Sequence, residues 1–177
     1  MALLSRGIRN NNPGNLIYTA KNNWLGKVPL KENTDAGHKF EQFTSMEYGI
    51  RAMFKDLVND INKGKNTVRK LINEYAPASE NNTKKYIDDV CQSIGVKPDD
   101  VIKSINQSFL LKLGKAIILK ENGVDASKVT DKQILKGMQM MGDVSTAKLA
   151  VDTKPKNVIP LVIAILLGFY TVFSISL

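Results

Sequence analysis

The residues with the clearest chemical potential stand near the start of the chain. "SRGIRNNNPGNLIY", Ser5 to Tyr18, sets Asn10, Asn11, Asn12 and Asn15 around a Pro-Gly pair. Asparagine favours turns and caps, and Pro-Gly interrupts regular structure, so a helix does not begin easily there. The run is either a plain surface turn or a set of carboxamides held for a purpose. Carboxamides offer both donors and acceptors without carrying a charge. Other chemistries are poorly supplied. With one His and one Cys there is no metal-ligand cluster, so neither a zinc mechanism nor a cofactor is expected. Cys91, in "IDDVCQSIGV", cannot form an internal disulfide and reads as a packing residue.

The formal net charge of +8 points to an anionic partner: nucleic acid, a membrane surface or a cell-wall polymer. Basic tracts interleaved with aromatics, as single-strand binders use, are missing, and no specific nucleic-acid partner is expected. The elements that must position the asparagines come next in the chain. Residues 5 to about 43 read as loops with a short hairpin around "NLIY" and "HKFEQF". Thr44 and Glu47 have capping-box spacing. Ile50, Met53, Phe54, Leu57, Val58 and Ile61 then follow the spacing of one buried helical face. Further helices are expected from Thr67, from Asn82 or Thr83 to Gly95, over "KPDDVIKSI", over "QSFLLKLGKAIILKENG", and after Thr130, whose capping box is closed by Gln133. Residues 143–157 read as a polar linker. Residues 158–177, "VIPLVIAILLGFYTVFSISL", carry no charge. They have about the length that crosses roughly 30 Å of hydrocarbon, and are expected to form a transmembrane helix.

Taken together, "RGIRNNNPGNL", "NWLG", "KFEQFTSMEYGIRAMFKDL" and "YAPASENNTKKYIDDV" resemble a family of phage and prophage virion-associated proteins of the lysozyme superfamily, which act on peptidoglycan. More loosely, the region is similar to the N-acetylglucosaminidases that remodel walls around flagella. In those enzymes paired asparagines lead into a W-x-G stretch, then an F-x-x-(F/Y) strand and a helix. Asn11 and Asn12, Trp24 with Gly26, and Phe40 with Phe43 occupy those places here. Tyr75-Ala76 resembles a later element whose tyrosine lies by the catalytic carboxylate. The resemblance covers about residues 6 to 140. It implies a mainly α, α+β, lysozyme-like domain over residues 1–142, with a small β lobe facing the helices across a cleft.

One departure matters. In the wall enzymes the general acid is a Glu at the end of a helix just upstream of the paired asparagines, and "MALLSRGIR" holds no carboxylate. "LLKLGKAIILKENG" resembles the helix-Glu-small-Gly signature of lytic transglycosylases and goose-type lysozymes. Placing it where the missing helix belongs makes the domain a circular permutation, with Glu121 as the acid and Asn11 and Asn12 beside the end of its helix. A helix C-terminus disfavours negative charge, which suits a group that must arrive with its proton. Asp35, with Glu32, is the candidate second carboxylate for a hydrolytic route; a transglycosylase needs one Glu alone. Asn11, Asn12, Asn15, Trp24 and Tyr75 are candidate cleft linings, with Trp24 equally placed to anchor the core. Glu80 and Asn81 could face the cleft, Phe40 and Phe43 read as core, and Arg6 and Arg9 could pair with a carboxylate or meet an anionic wall.

Two functions follow from the resemblance. The first is a membrane-anchored virion protein that cleaves peptidoglycan as the phage enters its host, with peptidoglycan, a lipid membrane and other virion proteins as partners. It would sit in the virion's internal membrane or the host inner membrane. The second is a non-catalytic virion protein that links capsid and membrane or binds the wall.

Overall fold

The structure, a computed structural model, describes residues 3–77 and 82–142. Six α-helices account for its regular structure: α1 (Arg6–Arg9), α2 (Met46–Asn62), α3 (Val68–Tyr75), α4 (Thr83–Ile94), α5 (Gln107–Asn122) and α6 (Asp131–Gln139). Short 3-10 turns occur at Leu30–Glu32, Ala36–His38 and Gly123–Lys128. The spacing of apolar residues explains how the helices pack. Ile50, Met53, Phe54, Leu57 and Ile61 of α2 recur at three- and four-residue intervals and are all buried. They meet Val68, Leu71 and Ile72 of α3, Ile87 and Val90 of α4, Leu110, Leu113 and Ile117 of α5, and Ile134 of α6 in one core. Cys91 is a buried member of that core, and burial pushes its thiol pKa up. α6 packs on α2, and α4 on both α3 and α5.

Capping side chains set where four helices start. Thr67, Asn82, Asn106 and Thr130 each accept from the backbone N–H three residues on, and Thr130 and Gln133 form a full capping box. Two expected starts differ. α2 begins after Ser45, and Thr44 instead donates its backbone N–H to Gly26 at 2.9 Å. "KPDDVIKSI" is no helix: the Asp100 carboxylate takes the Lys97 N–H at 2.8 Å, closing a turn that competes with helix formation. The chain beyond it runs alongside Asn66 and Thr67, with Ile102 N–H donating to Asn66 O at 2.8 Å.

The expected α+β, lysozyme-like arrangement with a β lobe is corrected at residues 16–44. The described residues hold helices and no strand, only isolated bridges such as Ile17 with Phe40 and Lys27 with Phe43. Residues 39–44 divide their backbone between two partners, with Glu41 N–H donating to Leu16 and Val28 N–H donating to Gln42. Neither pairing lasts long enough to build a ladder. Positive φ values at Asn11, Asn15, His38 and Gly26 turn the chain away on either side. No helix among the described residues is long and apolar enough to cross a membrane. The expected linker, 143–157, and membrane segment, 158–177, lie outside the described residues.

Polar side chains hold this loop region. Asn12 is fully buried; its carboxamide donates to Leu16 O at 3.0 Å and Glu41 O at 2.9 Å while accepting from Leu16 N–H at 3.0 Å. Glu41, also fully buried, accepts from Lys27 Nζ at 2.9 Å and Thr19 N–H at 3.2 Å. Gly49 is where the loop meets α2: a Cβ there would overlap the carbonyl oxygen of Asn11.

Candidate functional site

The carboxylate of Glu121 lies at the end of α5, where three parts of the chain converge. Tyr86 of α4 donates its hydroxyl to Glu121 Oε1 at 2.9 Å. Asn15, in the left-handed region at φ 49°, donates its amide to Glu121 Oε2 at 2.9 Å. Asn122, the next residue, donates to Pro13 O at 2.7 Å and accepts from the Ser5 hydroxyl at 2.8 Å, and Ser5 N–H donates to Asp125 at 2.7 Å. The N-terminal segment therefore clasps the end of a helix more than a hundred positions away in the chain.

Tyrosines border this carboxylate. Tyr75 donates its hydroxyl to Gly14 O. Burial, then the charge of Glu121, then that of Asp56, raises its pKa well above the ordinary tyrosine value. Burial first, and Glu121 second, likewise raises that of Tyr86. Both hydroxyls therefore stay protonated and remain donors across physiological pH. Beside Glu121 the Oδ1 of Asn15 is buried without a hydrogen-bond partner.

A cleft of about 350 Å³ opens next to this cluster, lined by Asn15, Asn22, Trp24, Asp56, Glu74 and Tyr75 among others. Glu121 is not part of the lining; Asn15 and Tyr75 are what connect it to the cleft. Trp24 is half-buried, packs with Tyr48 and Tyr75 on the small cluster of Leu16, Phe43 and Ala52, and still borders the cleft, so it serves both roles.

The remaining candidates are dispersed. Asp35 is buried and used up in the loop region: it accepts from Asn10 at 2.9 Å and Phe40 N–H at 3.3 Å, and pairs with Arg6 at 3.3 Å. It makes no contact with Glu121 and acts as a loop anchor. Asn11 donates to Phe43 O at 3.0 Å and Asn12 is enclosed in the loop, so Asn15 is the asparagine of the run whose side chain reaches the Glu121 carboxylate. Glu32 is exposed on a 3-10 turn. Phe43 is core and Phe40 half-buried, while Glu80 and Asn81 lie outside the described residues.

Sequence reasoning missed Asp56, Tyr86 and Asn122. Asp56 faces the cleft, and burial, followed by the charge of Asp60, raises its pKa, while Lys65 and Lys63 counteract. The readable signal was Asp56 and Asp60, like charges one turn apart on α2, whose mutual repulsion is a cost. Tyr86 follows the apolar period of α4, which conceals the polar role of its hydroxyl.

No protein-family model matches the chain. It is 30% identical over 138 residues to Protein P5 of Pseudoalteromonas phage PM2, a span of 76% of this chain and 81% of that protein. The chain belongs to the family of phage proteins that includes this P5.

Proposed function

We propose that this phage protein is a component of the virion that cleaves the glycan strands of peptidoglycan, with Glu121 as the proton donor. The observation that carries the reading is the setting of Glu121: a carboxylate at a helix end, held by Tyr86 and Asn15 at 2.9 Å each, beside a cleft walled by Trp24 and Tyr75. The resemblance of "RGIRNNNPGNL" to wall-acting virion proteins, and the phage relative, support the same reading. In the one-carboxylate route the Glu121 carboxyl gives its proton to the glycosidic oxygen as the bond from that oxygen to the sugar's C1 breaks. A hydroxyl of the same sugar then attacks C1, closing an anhydro ring, and its proton passes to Glu121, restoring the acid. Asn15 and Tyr86 orient the carboxyl, and the Trp24 and Tyr75 rings offer flat faces to the sugars.

The test is digestion of purified peptidoglycan by the full chain, wild type against Glu121→Gln. The glutamine can still accept from Tyr86, and a turned Asn15 amide can still pair with it, so the fold is retained. Loss of at least about a hundredfold in rate is expected, the scale of a positioned acid. Mass spectrometry of the wild-type products should show anhydro ends. Undiminished activity in the variant would reject Glu121.

A second reading, a wall-binding virion component without catalysis, is favoured by one observation. Both Glu121 oxygens are already engaged by the protein's own donors, and the residue is absent from the cleft lining. Co-sedimentation with peptidoglycan, with no digestion by the wild type, would support it.

A further inference from the structure

Trp24 has two sides, and the second faces a different hollow. This one, about 490 Å³, is lined by Lys21, Asn22, Asn23, Trp24, Arg51 and Lys55 together with Leu25 and Gly26, and contains no carboxylate. Asn22 and Trp24 belong to both depressions. The division comes from α2. Arg51 and Lys55 stand one turn apart on the side towards the hollow, and Asp56 and Asp60 one turn apart on the side towards the cleft. Lys63 lines the cleft as well, and Lys65 reaches Asp60 at 3.1 Å and Glu74 at 2.9 Å, so the acidic side is partly neutralised. Among the described residues no carboxylate pairs with Lys21, Arg51 or Lys55. Arg51 spends its Nε on Met140 O at 2.9 Å, which fixes the guanidinium and leaves its terminal nitrogens for an outside acceptor.

A ligand that crosses Trp24 therefore passes from an acidic surface to a basic one within the width of one ring. The sugars of a peptidoglycan strand carry few charges; the carboxylates are concentrated on the peptide stems that branch from it. Resting on the reading that the cleft takes the glycan, we propose that the Lys21–Arg51–Lys55 hollow is a subsite for the carboxylates of a stem peptide. The cations attract the stem, while Asp56, Asp60 and Glu74 discourage it from the cleft. The two surfaces together set the register of the strand, deciding which sugar presents its linkage to Glu121.

The test is calorimetric binding of the full chain to three soluble probes: a wall disaccharide bearing its peptide stem, the same compound with its carboxylates amidated, and the peptide-free disaccharide. Wild type is compared with the Lys21→Gln/Lys55→Gln double variant. Both lysines are exposed and their ammonium groups make no hydrogen bond within the described residues, so the variant keeps its fold, checked by its melting curve. Wild type should bind the stem-bearing probe roughly fivefold more tightly than the other two at low salt, the scale of exposed ion pairs. The double variant should lose that preference while keeping its affinity for the peptide-free sugar, the Lys21→Arg/Lys55→Arg form should retain it, and half-molar salt should erase it. Wild-type binding to all three probes with equal affinity overturns the subsite and leaves the glycan reading standing. Equal weakening of all three in the double variant also overturns it. Binding of none of them by the wild type rejects the glycan reading and the subsite with it.

Discussion

The loop region of residues 10–44 and the helical body of residues 46–138 are both closed to water, by opposite materials. In the body the buried side chains are overwhelmingly apolar, with Ile50, Met53, Phe54, Leu71, Leu113 and Ile117 at its centre. In the loop region the buried apolar side chains are few, Pro13, Leu16 and Phe43, beside Asn10, Asn12, Asn33, Asp35 and Glu41. Helices satisfy their own backbone, so packing needs to supply only an apolar face. A chain with neither helix nor ladder pairs its backbone only in places, and side chains must satisfy more of the rest, as the asparagines do here. The body tolerates approximate packing, because apolar contacts are non-directional. The loop region depends on direction, since a buried amide that loses its partner costs more than the bond itself contributed. The candidate site lies where the two meet: Asn15 comes from the directional region, Glu121, Tyr75 and Tyr86 from the apolar one.

Three substitutions put that contrast at risk. The largest effect is expected from Phe54→Ala, in the fully buried centre of the body against Gly114. Truncating an enclosed phenylalanine costs about 3–5 kcal/mol through lost transfer and the cavity left behind. The midpoint of chemical denaturation should fall accordingly. Next comes Asn12→Ala, which strips partners from Leu16 N–H, Leu16 O and Glu41 O, at a cost of about 1–3 kcal/mol. Hydrogen exchange should quicken in residues 10–18 and 39–44 while α2 and α5 keep their protection. Exchange rising evenly through the helices would show that the two regions are one unit and dissolve the distinction. The smallest effect belongs to Asp56→Asn, on the seam. A pKa raised by folding means that the folded state holds this proton more tightly than the unfolded chain. Stability from the group is then present at low pH and is lost as pH rises through the folded pKa. At pH 7 the asparagine variant should be more stable by about 0.3 kcal/mol, the scale of relieving a like-charge pair one turn apart. At pH 3 the difference should vanish, and thermal melting at both values measures it.

Much of the body could be read in advance because its rules are local. The period of Ile50 to Ile61 and the caps at Thr67, Asn82 and Thr130 act within a turn or two of chain, and helices stand where they indicate. The failures are also instructive. "NLIY" and "HKFEQF" do run alongside each other, yet residues 39–44 serve two partners and no strand results. "KPDDVIKSI" has helical composition, but one carboxylate, Asp100, closes a turn instead. Asp35 looked available for chemistry from its loop position; Arg6 and Asn10, which consume it, are 29 and 25 positions away.

Sequence alone determined the helical body, and marked the Asn-rich opening as either a plain turn or a set of carboxamides held for a purpose. Those are statements about composition and about contacts within a few residues. Tertiary structure decided which amide reaches the carboxylate, since Asn15 meets Glu121 across 106 positions while Asn11 and Asn12 serve the loop. It also decided that Trp24 stands between an acidic cleft and a basic hollow, because α2 turns Arg51 and Lys55 one way and Asp56 and Asp60 another. A helix distributes charge by angle, and which angle faces a cleft is known only once the loop that walls it has docked.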